Sequence, residues 1–225
     1  MEKQKRSLRQ RLPDYVKGEE IFGMVAHIVG AALGVALLVL CIIRGAIHGS
    51  VAAVLTGIVF GACMILLYVI SAIYHGLSPR VRGKEVMRVL DHCSVFLLIA
   101  GTYTPITVCA LAKADPALAW VIFGVVWAMS IVGIVLNAID VNKYFPFSMA
   151  CYIALGWCII LSLPQLMTVL PPMAISLLFC GGVAYTAGAV LFGLRAKARY
   201  AHSVFHVMVV IGSIFHGLLV LFFVM

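Results

Sequence analysis

Residues 50–75 read SVAAVLTGIVFGACMILLYVISAIYH. No Asp, Glu, Lys or Arg interrupts this run. About 20 mostly apolar residues, wound as a helix, cross the ~30 Å hydrocarbon core of a bilayer. A barrel strand would alternate apolar and polar positions, and that pattern is absent. A helix satisfies its backbone hydrogen bonds internally, so residues 50–75 are predicted to span a membrane as a helix.

The same reading extends in both directions. Apolar runs cover 21–43, 50–75, 89–111, 117–138, 147–163, 173–194 and 201–225. They are separated by Arg44, by SPRVRGKEVMR at 78–88, by KADP at 113–116, by DVNKYFP at 140–146, by Pro164 and the Pro171–Pro172 pair, and by RAKARY at 195–200. Of the 225 residues, 64% are hydrophobic and only 11% charged, against roughly 25% charged in a soluble domain. A soluble fold could not hide that much apolar surface. The mean hydropathy of +1.14 agrees. Seven helices use about 140 residues at about 20 each. The predicted architecture is an all-α bundle of seven transmembrane helices over residues 21–225, preceded by a polar, basic tail over residues 1–20.

That tail, MEKQKRSLRQRLPDYVKGEE, has no apolar stretch and no small-residue cleavage site, so no cleavable signal peptide is expected. Cys41, Cys63, Cys93, Cys109, Cys151, Cys158 and Cys180 all lie within apolar runs and form no CxxC pair. They read as small buried residues rather than a disulfide framework.

The net charge of +8 is distributed by side. Lys3, Lys5, Arg6, Arg9, Arg11, Lys17, Arg80, Arg82, Lys84, Arg88, Lys143, Arg195, Lys197 and Arg199 fall on the N-terminal side of the bundle, and only Arg44 and Lys113 on the other. Cytoplasmic loops concentrate Lys and Arg, so the N-terminus is predicted in the cytoplasm and the C-terminus outside. The basic excess faces an anionic leaflet; nucleic-acid binding is not expected. The expected partners are membrane lipids.

Ionisable residues inside transmembrane segments are costly and usually functional. His75 closes the second run, with Ser71 one turn before it. Asp91 and His92 open the third, and His202 and His206 open the seventh. The second helix ends where the third and seventh begin, so these residues share one layer at the cytoplasmic end. His202 and His206, four residues apart, share one helical face about 6 Å apart along the axis. Such a pair can grip one metal ion, and His75 could supply a third nitrogen. Three histidines and a water make an open zinc site of the catalytic type. Asp91 could orient or deprotonate that water, and Ser71 could donate a hydrogen bond to it or to a substrate oxygen. The competing reading is interhelical hydrogen bonding between polar side chains. His92 points about 100° away from Asp91 and reads as packing or support. His216 lies about 21 Å deeper than His202 and out of reach of this ion. His27, near Glu19 and Glu20, is not counted among the ligands, and His48 reads as solvated.

Taken together, EEIFGMVAH at 19–27, SAIYH at 71–75, LDHC at 90–93, LIAGTYTP at 98–105 and HSVFH at 202–206 resemble the hemolysin III family. This is the bacterial branch of the progestin and adipoQ receptor superfamily. The resemblance implies seven helices with a cytoplasmic N-terminus and a zinc site formed by His75, His202 and His206. It also implies that Asp91 interacts with the zinc-bound water and that Ser71 is the matching serine. Relatives in the wider superfamily include lipid amide hydrolases of the ceramidase type. The short tail and lack of a C-terminal extension differ from the animal receptors and favour a bacterial plasma-membrane protein over a hormone receptor.

Three functions follow for comparison. The first is a zinc-dependent hydrolase of a lipid amide or ester, with Asp91 as base and Ser71 as a hydrogen-bond donor. It requires an apolar cavity that reaches the metal. The second is a membrane regulator or receptor in which zinc ties helices together. The third is a haemolytic pore, which needs a polar stripe along several helices. A transporter would place ionisable groups near the midplane, whereas here they gather at one end.

Overall fold

The computed structural model describes Leu12 and residues 15–194 and 200–225. Among them are seven helices long and apolar enough to cross a membrane, and no strand. They are α1 (Lys17–Ile47), α2 (Val51–Gly76), α3 (Gly83–Ala114), α4 (Pro116–Asp140), α5 (Phe145–Val169), α6 (Pro172–Leu194) and α7 (Ala201–Val224). Most of the basic tail expected over residues 1–20 lies outside the described residues, as do Arg195, Lys197 and Arg199. All seven cysteines are free thiols.

Local chemistry sets several helix starts. The Ser50 hydroxyl accepts a hydrogen bond from the Ala53 amide at 3.2 Å, capping α2. Asp115 does the same for α4 through the Leu118 amide at 3.0 Å, with Pro116 in the first turn.

Two expected boundaries are corrected. Pro164 does not end the fifth helix. The chain tightens into a 3₁₀ turn at Cys158–Ser162, and Pro164 falls in the first turn of the segment Leu163–Val169. A missing N–H is harmless there. The segment 78–88 is not all loop either, because α3 starts at Gly83. Lys84 and Arg88 therefore lie on its first turns and are buried, at 2% and 7% exposure. Asp91 and His92 sit in the third turn of α3 instead of opening it.

Among the spanning helices, α3 is the most enclosed. It packs between α2 and α4 and also touches α5. The helices α1 and α2 pack closely along their length. At Gly30 a Cβ would lie 2.5 Å from the Tyr68 ring, so the absent side chain is what lets α1 pass over Tyr68. The seventh helix packs on α6 and returns to α1, closing the bundle. A largely apolar cavity of about 140 Å³ is enclosed mainly by α3, α5, α6 and α7, with α1 and α2 contributing at one end.

Candidate metal centre and cavity

His75 is the penultimate residue of α2, and His202 and His206 occupy the first two turns of α7. The chain enters α7 through Tyr200, whose φ of 64° is left-handed. A non-glycine residue is strained in that region. The Tyr200 amide donates to Glu19 Oε1 at 2.9 Å. Glu19 Oε2 also accepts from the Val16 amide at 3.2 Å. One buried carboxylate thus ties the start of α7 to the start of α1.

The three imidazoles of His75, His202 and His206 are buried together, with one nitrogen from each inside a mutual distance of 4.8 Å. His202 Nε2 and His206 Nε2 are 3.0 Å apart. Their ring centroids lie 4.6 Å apart for His75 and His206, and 5.1 Å for His75 and His202. Tyr15 covers the cluster by stacking on His202, with centroids 4.1 Å apart and planes 9° from parallel. Helix α1 can pass this close because residue 23 is glycine. A Cβ there would be 2.9 Å from His206 Nε2.

The donor set fits a divalent transition metal. Neutral imidazole suits zinc, copper, iron and nickel. His75 Nε2 is buried and has no hydrogen-bond partner among the described residues, a condition a cation would relieve. Its other nitrogen, Nδ1, donates to Glu20 Oε2 at 2.8 Å. A carboxylate behind a histidine is the usual outer partner of a metal ligand.

Asp91 and Ser71 lie beside this cluster. The Ser71 hydroxyl, the His75 ring and the Arg88 guanidinium all lie close to the Asp91 carboxylate. Arg88 Nη2 also donates to Asn142 Oδ1 at 2.7 Å, so the turn between α4 and α5 holds this arginine. Both Asp91 and Ser71 line the apolar cavity, together with His27. Along its walls run Leu98, Ile99, Met149, Phe192 and Val209, and His216 lies at its far end.

The remaining histidines divide cleanly. His27, not counted among the ligands on sequence grounds, belongs to the cluster: its Nε2 is 2.8 Å from His206 Nδ1. His92 packs against Phe145 and Phe192. His216 Nε2 donates to the Leu178 carbonyl at 3.1 Å, in a separate environment. His48 is exposed, against the Arg44 carbonyl. Sequence reasoning also missed Glu20 and Lys84 as site residues. The only available signal was that Glu20 lies seven residues, two turns, before His27 and so shares its face.

Residues 15–217 match the family described as Haemolysin-III related. The chain is similar to Hemolysin-3 of Bacillus cereus, 36% identical over 216 residues and covering 96% of this chain and 95% of the relative. It is also similar to the Hemolysin-3 homolog of Bacillus subtilis (strain 168), 31% identical over 91% of this chain and 94% of the relative. A more distant likeness is to the human monocyte to macrophage differentiation factor, 22% identical over 72% of this chain and 67% of the relative.

Proposed function

Since the chain belongs to the Haemolysin-III related family and is a multi-pass membrane protein, we propose that it is a zinc-dependent hydrolase of a lipid amide or ester bond. The observation that carries this reading is the position of Asp91 and Ser71. They form part of the wall of an apolar cavity while standing against a buried three-histidine cluster. Lipid is the expected substrate, and the bacterial plasma membrane the expected location. The charge distribution supports an N-terminus in the cytoplasm. A reporter fused after Met225 checks this orientation, and activity confined to the cytoplasm would reverse it.

His75, His202 and His206 would hold the zinc, which supplies Lewis-acid activation of water and of the scissile carbonyl. The other steps belong to the chain itself. The cavity walls take up the acyl chain and keep bulk water from the reacting bond. Asp91 Oδ accepts the proton from the attacking water and returns it to the departing amine or alcohol. The Ser71 hydroxyl, close to Asp91, would donate to the carboxylate and fix the direction of its lone pairs. Arg88 keeps a compensating charge near a carboxylate that would otherwise be costly at this depth.

A second reading is a regulator in which zinc only staples α2 to α7. The burial of the three histidines behind Asp91 and Ser71, outside the cavity wall itself, favours it. A haemolytic pore has less support, because the ionisable groups gather at one end instead of forming a stripe. Metal analysis of purified protein, combined with a lipid-hydrolysis screen of wild type and Asp91→Ala, tests the proposal. Zinc together with Asp91-dependent turnover supports the hydrolase. Zinc without turnover of any lipid amide or ester leaves the structural reading.

A further inference from the structure

Glu20 joins three segments through its two carboxylate oxygens. Oε2 accepts from His75 Nδ1 at 2.8 Å. Oε1 accepts from Lys84 Nζ at 2.7 Å. Lys84 also donates to the Leu77 carbonyl at 2.9 Å, and its ammonium lies 5.1 Å from the centre of the Tyr74 ring. The lysine side chain is 2% exposed and the Glu20 side chain 15%. Both charges are thus largely removed from water and lie against each other, an arrangement that persists only when each is satisfied.

The chemistry of this chain of contacts has a direction. An ionised carboxylate can only accept hydrogen bonds. The hydrogen between Glu20 and His75 therefore belongs to Nδ1, which puts the lone pair of the neutral ring on Nε2. That nitrogen is the buried atom with no hydrogen-bond partner among the described residues. Lys84 holds Glu20 from the other side and keeps the carboxylate oriented.

We propose that Glu20, anchored by Lys84, is a positioning residue that locks His75 as its Nδ1–H tautomer and turns the Nε2 lone pair toward His202 and His206. Its consequence for metal affinity rests on the zinc reading above; the tautomer itself does not. A purely mechanical staple between α1 and α3 would need only the ion pair with Lys84. The second oxygen, committed to a ring nitrogen of the cluster, is what distinguishes the two roles.

The experiment uses full-length protein in detergent with ¹⁵N-labelled histidine. The His75 signals are identified by their loss in His75→Gln. The variants are Glu20→Gln and the double variant Glu20→Ala/Lys84→Met, which leaves no buried unpaired lysine. A thermal scan establishes that each is folded. Metal-free wild type is expected to show a protonated Nδ1 and an unprotonated Nε2 at His75, and the double variant a mixture of tautomers. In chelator competition with zinc, the double variant should bind about 10–100-fold more weakly. Glu20→Gln, which retains a neutral acceptor, should lie between it and wild type. A folded double variant that keeps His75 wholly in the Nδ1–H form overturns the proposal, as does zinc affinity within threefold of wild type. If wild type takes up no zinc, the zinc reading fails, and the tautomer comparison still decides the role of Glu20.

Discussion

Two buried histidines on α7 have opposite surroundings. His206 lies among imidazoles: His202 Nε2 is 3.0 Å from its Nε2, and His27 Nε2 is 2.8 Å from its Nδ1. His216, almost three turns on, donates from Nε2 to the Leu178 carbonyl at 3.1 Å. Near it, Tyr68 and Tyr185 close on the Ser213 hydroxyl at 2.7 and 2.8 Å. At the far end the protein supplies its own oxygens to His216 Nε2 and to the two tyrosine hydroxyls, and only His216 Nδ1 is left without a hydrogen-bond partner among the described residues of that group. The near end sets ring nitrogen against ring nitrogen at N–H···N distance, in a group of imidazoles that are also good metal ligands. Burial of a histidine in a membrane helix is thus not in itself the mark of a site; the surrounding atoms decide.

The sharpest test of the contrast is at Asp91, which belongs to the near end alone. Asp91→Asn keeps the size and a hydrogen-bond acceptor but cannot take up a proton. Lipid turnover is expected to fall by about 10²–10⁴-fold, the range for a general base, with zinc content kept. Arg88→Gln should be milder, because Asn142 already engages that side chain. Parallel metal analysis and turnover of the two variants are the measurements. Wild-type turnover in Asp91→Asn would make the aspartate structural.

A direct exchange between the two ends comes next. His206→Ala removes one of three candidate ligands and should empty the site of zinc. His216→Ala should retain zinc and cost about 1–3 kcal/mol of stability, because it removes a buried hydrogen bond and the ring that makes it. Full occupancy in His206→Ala would dissolve the distinction.

How much of this was readable beforehand varies by residue. The seven spans follow from hydropathy, because a bilayer imposes length and apolarity on each helix. His75, His202 and His206 could be brought to one layer by helix direction alone. Glu20, His27 and Lys84 could not be assigned to the site. Charges at the ends of helices are ordinarily solvated, and nothing local distinguishes a lysine that turns inward. Lys84 was also masked by the reading of residues 78–88 as loop, since Pro79 and Gly83 suggest a turn, whereas α3 begins at Gly83. The continuation of α5 past Pro164 depends on a 3₁₀ turn at Cys158–Ser162, which has no hydropathy signature.

Gly23 offers a subtler perturbation of the near end. In Gly23→Ala the new methyl would begin 2.9 Å from His206 Nε2 and 3.3 Å from His75 Cδ2. Either α1 or the rings must move. Zinc affinity is expected to fall by about tenfold, the low end of what displaced outer partners cost, and stability by about 1–3 kcal/mol from overpacking. Chelator competition and thermal unfolding read the two effects. Unchanged affinity would mean that α1 yields and the imidazoles do not depend on its close approach.

The smallest effect should come from Tyr68→Phe, which probes whether the two ends are coupled. The Tyr68 hydroxyl donates to Ser213 at 2.7 Å, and the Val209 carbonyl is 3.3 Å away. Ser213 keeps Tyr185 at 2.8 Å when that hydroxyl is removed, so no buried donor is stranded. The phenyl ring still fills the space over Gly30. It also keeps its edge-to-face contact with His27, whose centroid is 5.1 Å away. What is lost is one hydrogen bond inside a membrane protein, worth about 0.6 kcal/mol on average. Zinc affinity should stay at the wild-type value, because the route from residue 68 to the cluster runs through the ring and not the hydroxyl. Thermal unfolding and chelator competition on the same preparation measure both quantities. A tenfold loss of zinc affinity with so small a loss of stability would show that the hydroxyl network reaches through His27 to His206, and the two ends would then be one unit.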